Sequence, residues 1–445
     1  MGITIVQKSD LSKTHHEAKK ALVLAGGAIS GGAFKLGGLA ALDRYLKNKK
    51  VTQFDIYMGI SAGAFLAAPI AAGIDPAEMV EAFVGDPRKV SRFQPWDFYN
   101  PNTRELWERP VNAIKELATA GPRATLRLLK TLPRRMPDIA ARVRDFMADP
   151  SLENAELVAD PILHALADAN PPRPTWLPSG LFDNAPIERY IRTNLEQNKA
   201  SNNFRKLKLE TGRSLYIGAT NINTAQGVVF GHDEDNSVTI SEAVQASTAI
   251  PGFFKPAKLG PPGREQHYVD AAVRKTANVS VAVRHGAQLI ICYNPFRPFV
   301  NYRHRVSASD KGSIADLGMA VIINQAFRTL LHSRLRLGIE KLKLDESFRG
   351  DVLLIEPTET DARFFAMNPL AFWARQAAAE HGFQSVRQSL AKHHDTLKPI
   401  LSAYGIEVDL NAIGPVLRQK EAEVTQLPAP ETRRRPRLRL VSGGS

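Results

Sequence analysis

The sequence predicts an α/β fold in which a mainly parallel sheet is covered by helices. Two stretches carry this expectation. The apolar run "ALVLAGG", Ala21 to Gly27, reads as a strand, and it leads into "AISGGAFKLGGLAALDRYLKNKK". The apolar positions Phe34, Leu36, Leu39 and Leu42 of that segment suit a helix running to the lysines. A short loop then leads to a second strand, Phe54 to Met58, and an alanine-rich helix follows it. A β-α-β-α start needs crossover connections, and these place helices over parallel strands.

Later strands are expected at "SLYIGATNIN", "GVVFG", "HYVDAAV" and "AQLIICYNP", with "DVLLIEP" at Asp351 to Pro357 as the last. A long helix is expected from about Ser313 to Leu344, and another from Ala371 to His394. The segment from about 101 to 178 reads as a helical insertion, rich in Arg and Leu and broken by five prolines from Pro110 to Pro150. The expected organisation is an N-terminal extension at 1–19, one domain at 20–427 and a basic, disordered tail at 428–445. Within the domain the insertion precedes a helical C-terminal region at about 307–427. The tail, "PAPETRRRPRLRLVSGGS", has too few apolar residues to build a core.

Composition excludes several classes. With 445 residues, 44% of them hydrophobic, the chain can bury a large core, so a fibrous or wholly disordered protein is ruled out. The first twenty residues have no apolar core behind a basic start, so no secretory signal is expected. The longest weakly polar run, Gly59 to Ile74, is shorter than a membrane span. The single cysteine, Cys292, allows no internal disulfide and no cysteine-based zinc site, which suits a cytoplasmic protein. The formal charge of +13 predicts attraction to anionic surfaces, either phospholipid or nucleic acid.

The chemistry concentrates in "FDIYMGISAGAFLAAP", Phe54 to Pro69. Ser61 stands between a strand and a helix, and Gly59 and Gly63 leave room for a tight bend around it, which is the layout of a nucleophile elbow. A serine hydroxyl becomes nucleophilic only when it is positioned and a base takes its proton. Acyl transfer also needs donors for the oxyanion. The turn "AGGAISGG" follows the first strand, and parallel pairing would bring it beside Ser61. A dinucleotide loop fits this turn poorly, because Ala28 stands where the second glycine of G-x-G-x-x-G would be.

The base is less obvious. An α/β-hydrolase places its elbow deep in the sheet and follows it with an acid and a histidine, whereas here only one strand precedes the elbow. Among eleven histidines, His232, His267, His285 and His381 sit in ordinary surroundings. Asp270 in "HYVDAAV" ends an apolar run and is followed by small residues, so burial could raise its pKa and make it a useful base. Taken alone, it reads equally well as a helix cap.

Three elements now stand in order: "GGAISGG", "GISAG" and "VDAAV". Together they resemble the patatin-like phospholipase family. "AVQASTAIPGFFKPAKL", "GLFDNAPIERYIR" and "IGATNINTAQGVVF" are similar to further segments of that family, and the resemblance covers about Ala21 to Pro295. It implies a three-layer α/β/α sandwich with a mostly parallel sheet. It also implies hydrolysis of lipid acyl esters through an acyl-enzyme, of phospholipase A or lysophospholipase type, without a metal or other cofactor. Ser61 is then the nucleophile, Asp270 its partner in a Ser-Asp dyad, and Gly26, Gly27 and Ala28 the oxyanion hole. The family's G-G-G-x-R-G loop is altered, with Ala28 and Ser30 in place of the third glycine and the arginine. Its D-G-G or D-G-A becomes Asp270, Ala271, Ala272.

The expected partner is a lipid or phospholipid. From Gly121 to Asp145 seven basic residues interleave with leucines against two acids, a pattern suited equally to peripheral contact with an anionic membrane and to a solvated helix packed by its leucines. A catalytically silent scaffold of the same fold is the competing expectation. A nucleic-acid-binding protein is a weaker one, since no helix-turn-helix, zinc or RNA-binding signature accompanies the charge. The sequence does not set the oligomeric state.

Overall fold

Nine strands form one mixed sheet, whose order in space is β1-β9-β8-β2-β3-β4-β7-β6, with β5 paired to β4. They are β1 (Gly2–Val6), β2 (Lys19–Leu24), β3 (Ile56–Gly59), β4 (Ser214–Asn221), β5 (Gly227–Gly231), β6 (Ala257–Leu259), β7 (Gln266–Asp270), β8 (Ala287–Tyr293) and β9 (Asp351–Glu356). This computed structural model describes residues 2–84, 89–109, 177–302 and 312–411, with scattered positions between 137 and 157. Most of the expected insertion and all of the expected tail therefore lie outside the described residues.

The inner strands β9, β8, β2, β3 and β4 run parallel, while β1, β5, β6 and β7 are antiparallel additions at the margins. Strands buried on both faces are expected to be continuously apolar, and β2, β3, β8 and β9 are almost wholly buried. Gly2–Val6, within the expected N-terminal extension at 1–19, forms an edge strand paired with β9.

Helices cover both faces and make three layers. On one face Ala21, Val23, Ile56, Met58, Ile290 and Cys292 pack with Val281 and Ala282, and with Leu335 and Ile339 of the long helix Met319–Leu344. On the other lie α1 (Ala28–Tyr45) and α2 (Ala62–Ala71), with Arg375–Lys392 outside α1. A side chain at Gly37 would run into the Ala379 carbonyl, and one at Gly382 into that of Phe34. Small residues thus let these two helices meet almost backbone to backbone, and α1 is left buried on nearly every side.

Register sets the position of the site. Leu24 pairs with Gly59, so the turn after β2 lies beside the turn after β3. Gly59 pairs with Ile217 and Asp270 with Ala219, two residues further along β4. Asp270 therefore stands level with Ser61, with β4 between their two strands.

Candidate active site

Ser61 occupies the bend between β3 and α2 with φ 55° and ψ −129°, a conformation that costs a non-glycine residue of order 1–3 kcal/mol and persists only where surroundings enforce it. A β-carbon at Gly63 would run into the carbonyls of Leu24 and Ala25, and one at Gly59 into the backbone of Ala64. These contacts explain the two glycines. The Ser61 carbonyl starts α2 by accepting from the N–H groups of Ala64 (2.8 Å) and Phe65 (3.1 Å). Its own N–H donates to Ser247 Oγ at 2.8 Å. Ser247 is buried in Ile240–Thr248, within "AVQASTAIPGFF", so that segment braces the elbow.

Asp270 is 4% exposed. Its Oδ1 accepts the Ala272 N–H at 2.8 Å, capping the short turn Ala271–Val273. Strand register sets Asp270 level with Ser61, whose hydroxyl pulls the carboxyl's pKa down. The cap and the base are therefore compatible readings of one side chain. Burial pushes its pKa up to about 6, against the opposing pull of Ser61, the Ala272 N–H and the positive charge of Lys35.

The turn after β2 runs through Gly26 and Gly27 into α1. Ala28 adopts φ 50°, so the alanine that replaces the third glycine takes a left-handed conformation. The N–H groups of Ile29 and Ser30 donate to the Pro369 carbonyl at 3.0 and 3.1 Å. Among the described residues the N–H groups of Gly26, Gly27 and Ala28 have no partner, so they remain available to an anion.

A cleft of about 510 Å³, counting its open mouth, lies over Ser61. Phe65, Leu66, Phe83, Phe93, Phe98 and Ile250 line it, and Ser61 and Thr248 are the polar residues on its wall. Away from the turn at Ala28 the wall is almost wholly apolar, the kind of surface against which hydrocarbon is buried.

None of the four histidines considered from the sequence lines this cleft. His285 pairs with Asp233 and Glu234, and His381 with Asp361. Cys292 is a buried strand residue. Sequence reasoning missed two groups at the site, Ser247 and Lys35. Lys35 is wholly buried in α1, and its Nζ donates to the carbonyl oxygens of Ala25 and Gly26, the latter at 2.9 Å. The all-round apolar character of the surrounding helix was the available signal, since any polar residue within it had to be buried.

The basic stretch Gly121 to Asp145 and the tail arginines lie almost entirely outside the described residues. Among the described residues no helix is long and apolar enough to cross a membrane.

Comparison with known proteins gives a family. The patatin-like phospholipase family matches residues 22–283, from β2 to the helix after Asp270. No curated protein matches the chain. Among solved structures, VipD from Legionella pneumophila is 16% identical with a TM-score of 0.34, covering 88% of this chain and 70% of its own. Full-length ExoU in complex with SpcU, from the type III secretion system of Pseudomonas aeruginosa, is 16% identical with a TM-score of 0.26, covering 94% and 68%. The match over residues 22–283 places the chain in the patatin-like phospholipase family, whose members are lipid acyl hydrolases.

Proposed function

We propose that the chain is a serine hydrolase of phospholipase A or lysophospholipase type, cleaving carboxylic esters of lipids through an acyl-enzyme on Ser61 with Asp270 as its base. The observation that carries this is Ser61, held on a strained bend in the wall of an apolar cleft and level in register with the buried carboxyl of Asp270. As Ser61 Oγ attacks the ester carbonyl, its proton passes to Asp270 and the negative charge forms on the former carbonyl oxygen. The unpartnered N–H groups of Gly26, Gly27 and Ala28 are the donors for that oxygen. Collapse of the intermediate expels the alcohol, which takes the proton from Asp270 and leaves the acyl group on Ser61. A water molecule, deprotonated by Asp270, then attacks the acyl-enzyme and releases the acid. A carboxyl with pKa about 6 is a much better proton acceptor near neutrality than one with an ordinary aspartate value.

The test is hydrolysis of a short-chain p-nitrophenyl ester and of mixed phospholipid vesicles by wild type, Ser61→Ala and Asp270→Asn. Activity in the wild type, lost in both folded variants, supports the dyad. Activity that survives Ser61→Ala overturns it.

A further inference from the structure

The described chain carries an almost bare ammonium behind its glycine loop. Lys35 is fully buried, and among the described residues no carboxylate lies within ion-pair distance of its Nζ. Its partners are two backbone carbonyls, those of Ala25 and Gly26. Placing an unpaired cation in a protein interior is expensive, and a methionine of similar length would fill the same space without that cost. The two carbonyls matter because of the peptide groups to which they belong. The Ala25 carbonyl shares a planar peptide with the Gly26 N–H, and the Gly26 carbonyl shares one with the Gly27 N–H. In a trans peptide the C=O and N–H point in opposite directions, and among the described residues every peptide bond is trans. The ammonium thus sits behind the two peptides whose N–H groups face away from it and have no other partner.

We infer that Lys35 is a positioning residue of the hydrolytic site, fixing the Gly26 and Gly27 peptides so that their N–H groups meet the oxyanion, and strengthening both as donors. This rests on the serine-hydrolase reading above. A hydrogen bond to a carbonyl oxygen polarises its peptide and makes the attached N–H more positive. Because the ammonium is sealed from water, its field acts at low effective dielectric on the charge that develops over Ser61. The same charge favours the ionised form of Asp270. The titratable groups that act on Lys35 are Asp270 from β7 and Cys292 from β8. Burial lowers the lysine to about 7, an effect opposed first by Asp270 and then by Cys292.

The experiment compares wild type, Lys35→Met and Lys35→Gln on a p-nitrophenyl ester, recording kcat, KM and the pH dependence of kcat. Lys35→Met, matched in length but without charge or donor, is expected to lose roughly 10²–10³-fold in kcat, the scale of one oxyanion donor, with KM within about threefold. Its acid limb is expected at higher pH than wild type, because the cation that favoured the Asp270 carboxylate is gone. Lys35→Gln, which keeps a donor, is expected to recover part of the loss. In wild type, kcat is expected to fall as pH rises through the lysine titration, a readout that holds even if neither variant folds.

Folded Lys35→Met with wild-type kcat and pH profile overturns the proposal, as does a wild-type rate that stays level to pH 9. If Ser61→Ala is inactive while Lys35→Met is fully active, the hydrolase reading survives and this inference alone fails. If Ser61→Ala retains activity, the reading beneath it fails first.

Discussion

Two largely buried aspartates in this molecule have opposite fates. Asp361 is 9% exposed at the side chain, and burial alone would raise its pKa. Its oxygens lie 2.9 Å from His381 Nε2, however, and Oδ1 also accepts the Phe364 N–H at 3.0 Å, so the net shift is downward. Asp270 has one backbone donor and a serine hydroxyl nearby, which is not enough, and burial holds it up at about 6. The first acid is fully served by its surroundings and acts as a cap and a pin between helices. The second is left short of partners, which suits the proton acceptor proposed for it. A carboxylate that its own fold fails to satisfy has capacity left for chemistry.

The largest expected effect comes from the nucleophile. Ser61→Ala should remove ester hydrolysis by at least about 10⁴-fold, measured as kcat, with an unchanged fold by circular dichroism. Asp270→Asn follows closely, with a loss of about 10³–10⁴-fold. Its stability near neutrality should not fall, which the sign of the shift requires. A carboxyl whose pKa is raised from 3.8 to about 6 binds its proton more tightly when folded. Its charge therefore opposes folding increasingly as pH rises through that window.

A third expectation concerns pH. Below about pH 6 wild-type kcat should drop about tenfold per unit as Asp270 takes up a proton. A limb governed by an ordinary aspartate would lie near pH 4 instead.

The mildest catalytic effect belongs to Asp361→Asn, which should keep kcat within about threefold at a temperature where it is folded. It should nonetheless lose roughly 1–3 kcal/mol in urea unfolding at neutral pH. The depressed pKa of Asp361 supplies stability above its unfolded value of 3.8 and loses it as pH falls through the folded value. If Asp361→Asn abolishes hydrolysis while Asp270→Asn only destabilises, the comparison is reversed.

Much of the site is legible in the sequence because its parts are local. The small residues around Ser61 report a bend that only they permit, and the strand and helix on either side follow from periodicity. Strands β2, β3, β4, β8 and β9 appear where their apolar runs predict them. Asp270 is legible as a candidate but ambiguous as a cap, and the ambiguity was real, since it caps Ala272 and also stands level with Ser61. What could not be read depends on distant pairing. Gly2–Val6 joins the sheet only because β9, some 350 residues later, offers an edge to it. Lys35 is legible only as a polar residue in an apolar helix; that it reaches the Ala25 and Gly26 carbonyls follows from how α1 packs on the turn after β2. Ser247 is one small residue in a helix, and its bond to the Ser61 N–H exists only after β3 and Ile240–Thr248 meet.

The most direct test of the central claim is to treat the purified chain with a fluorophosphonate and locate the adduct by peptide mass spectrometry, in wild type and in Asp270→Asn. The account predicts a single adduct on Ser61, formed at least 100-fold more slowly in Asp270→Asn. An adduct on another residue, or equal labelling of Ser61 in both proteins, would contradict it.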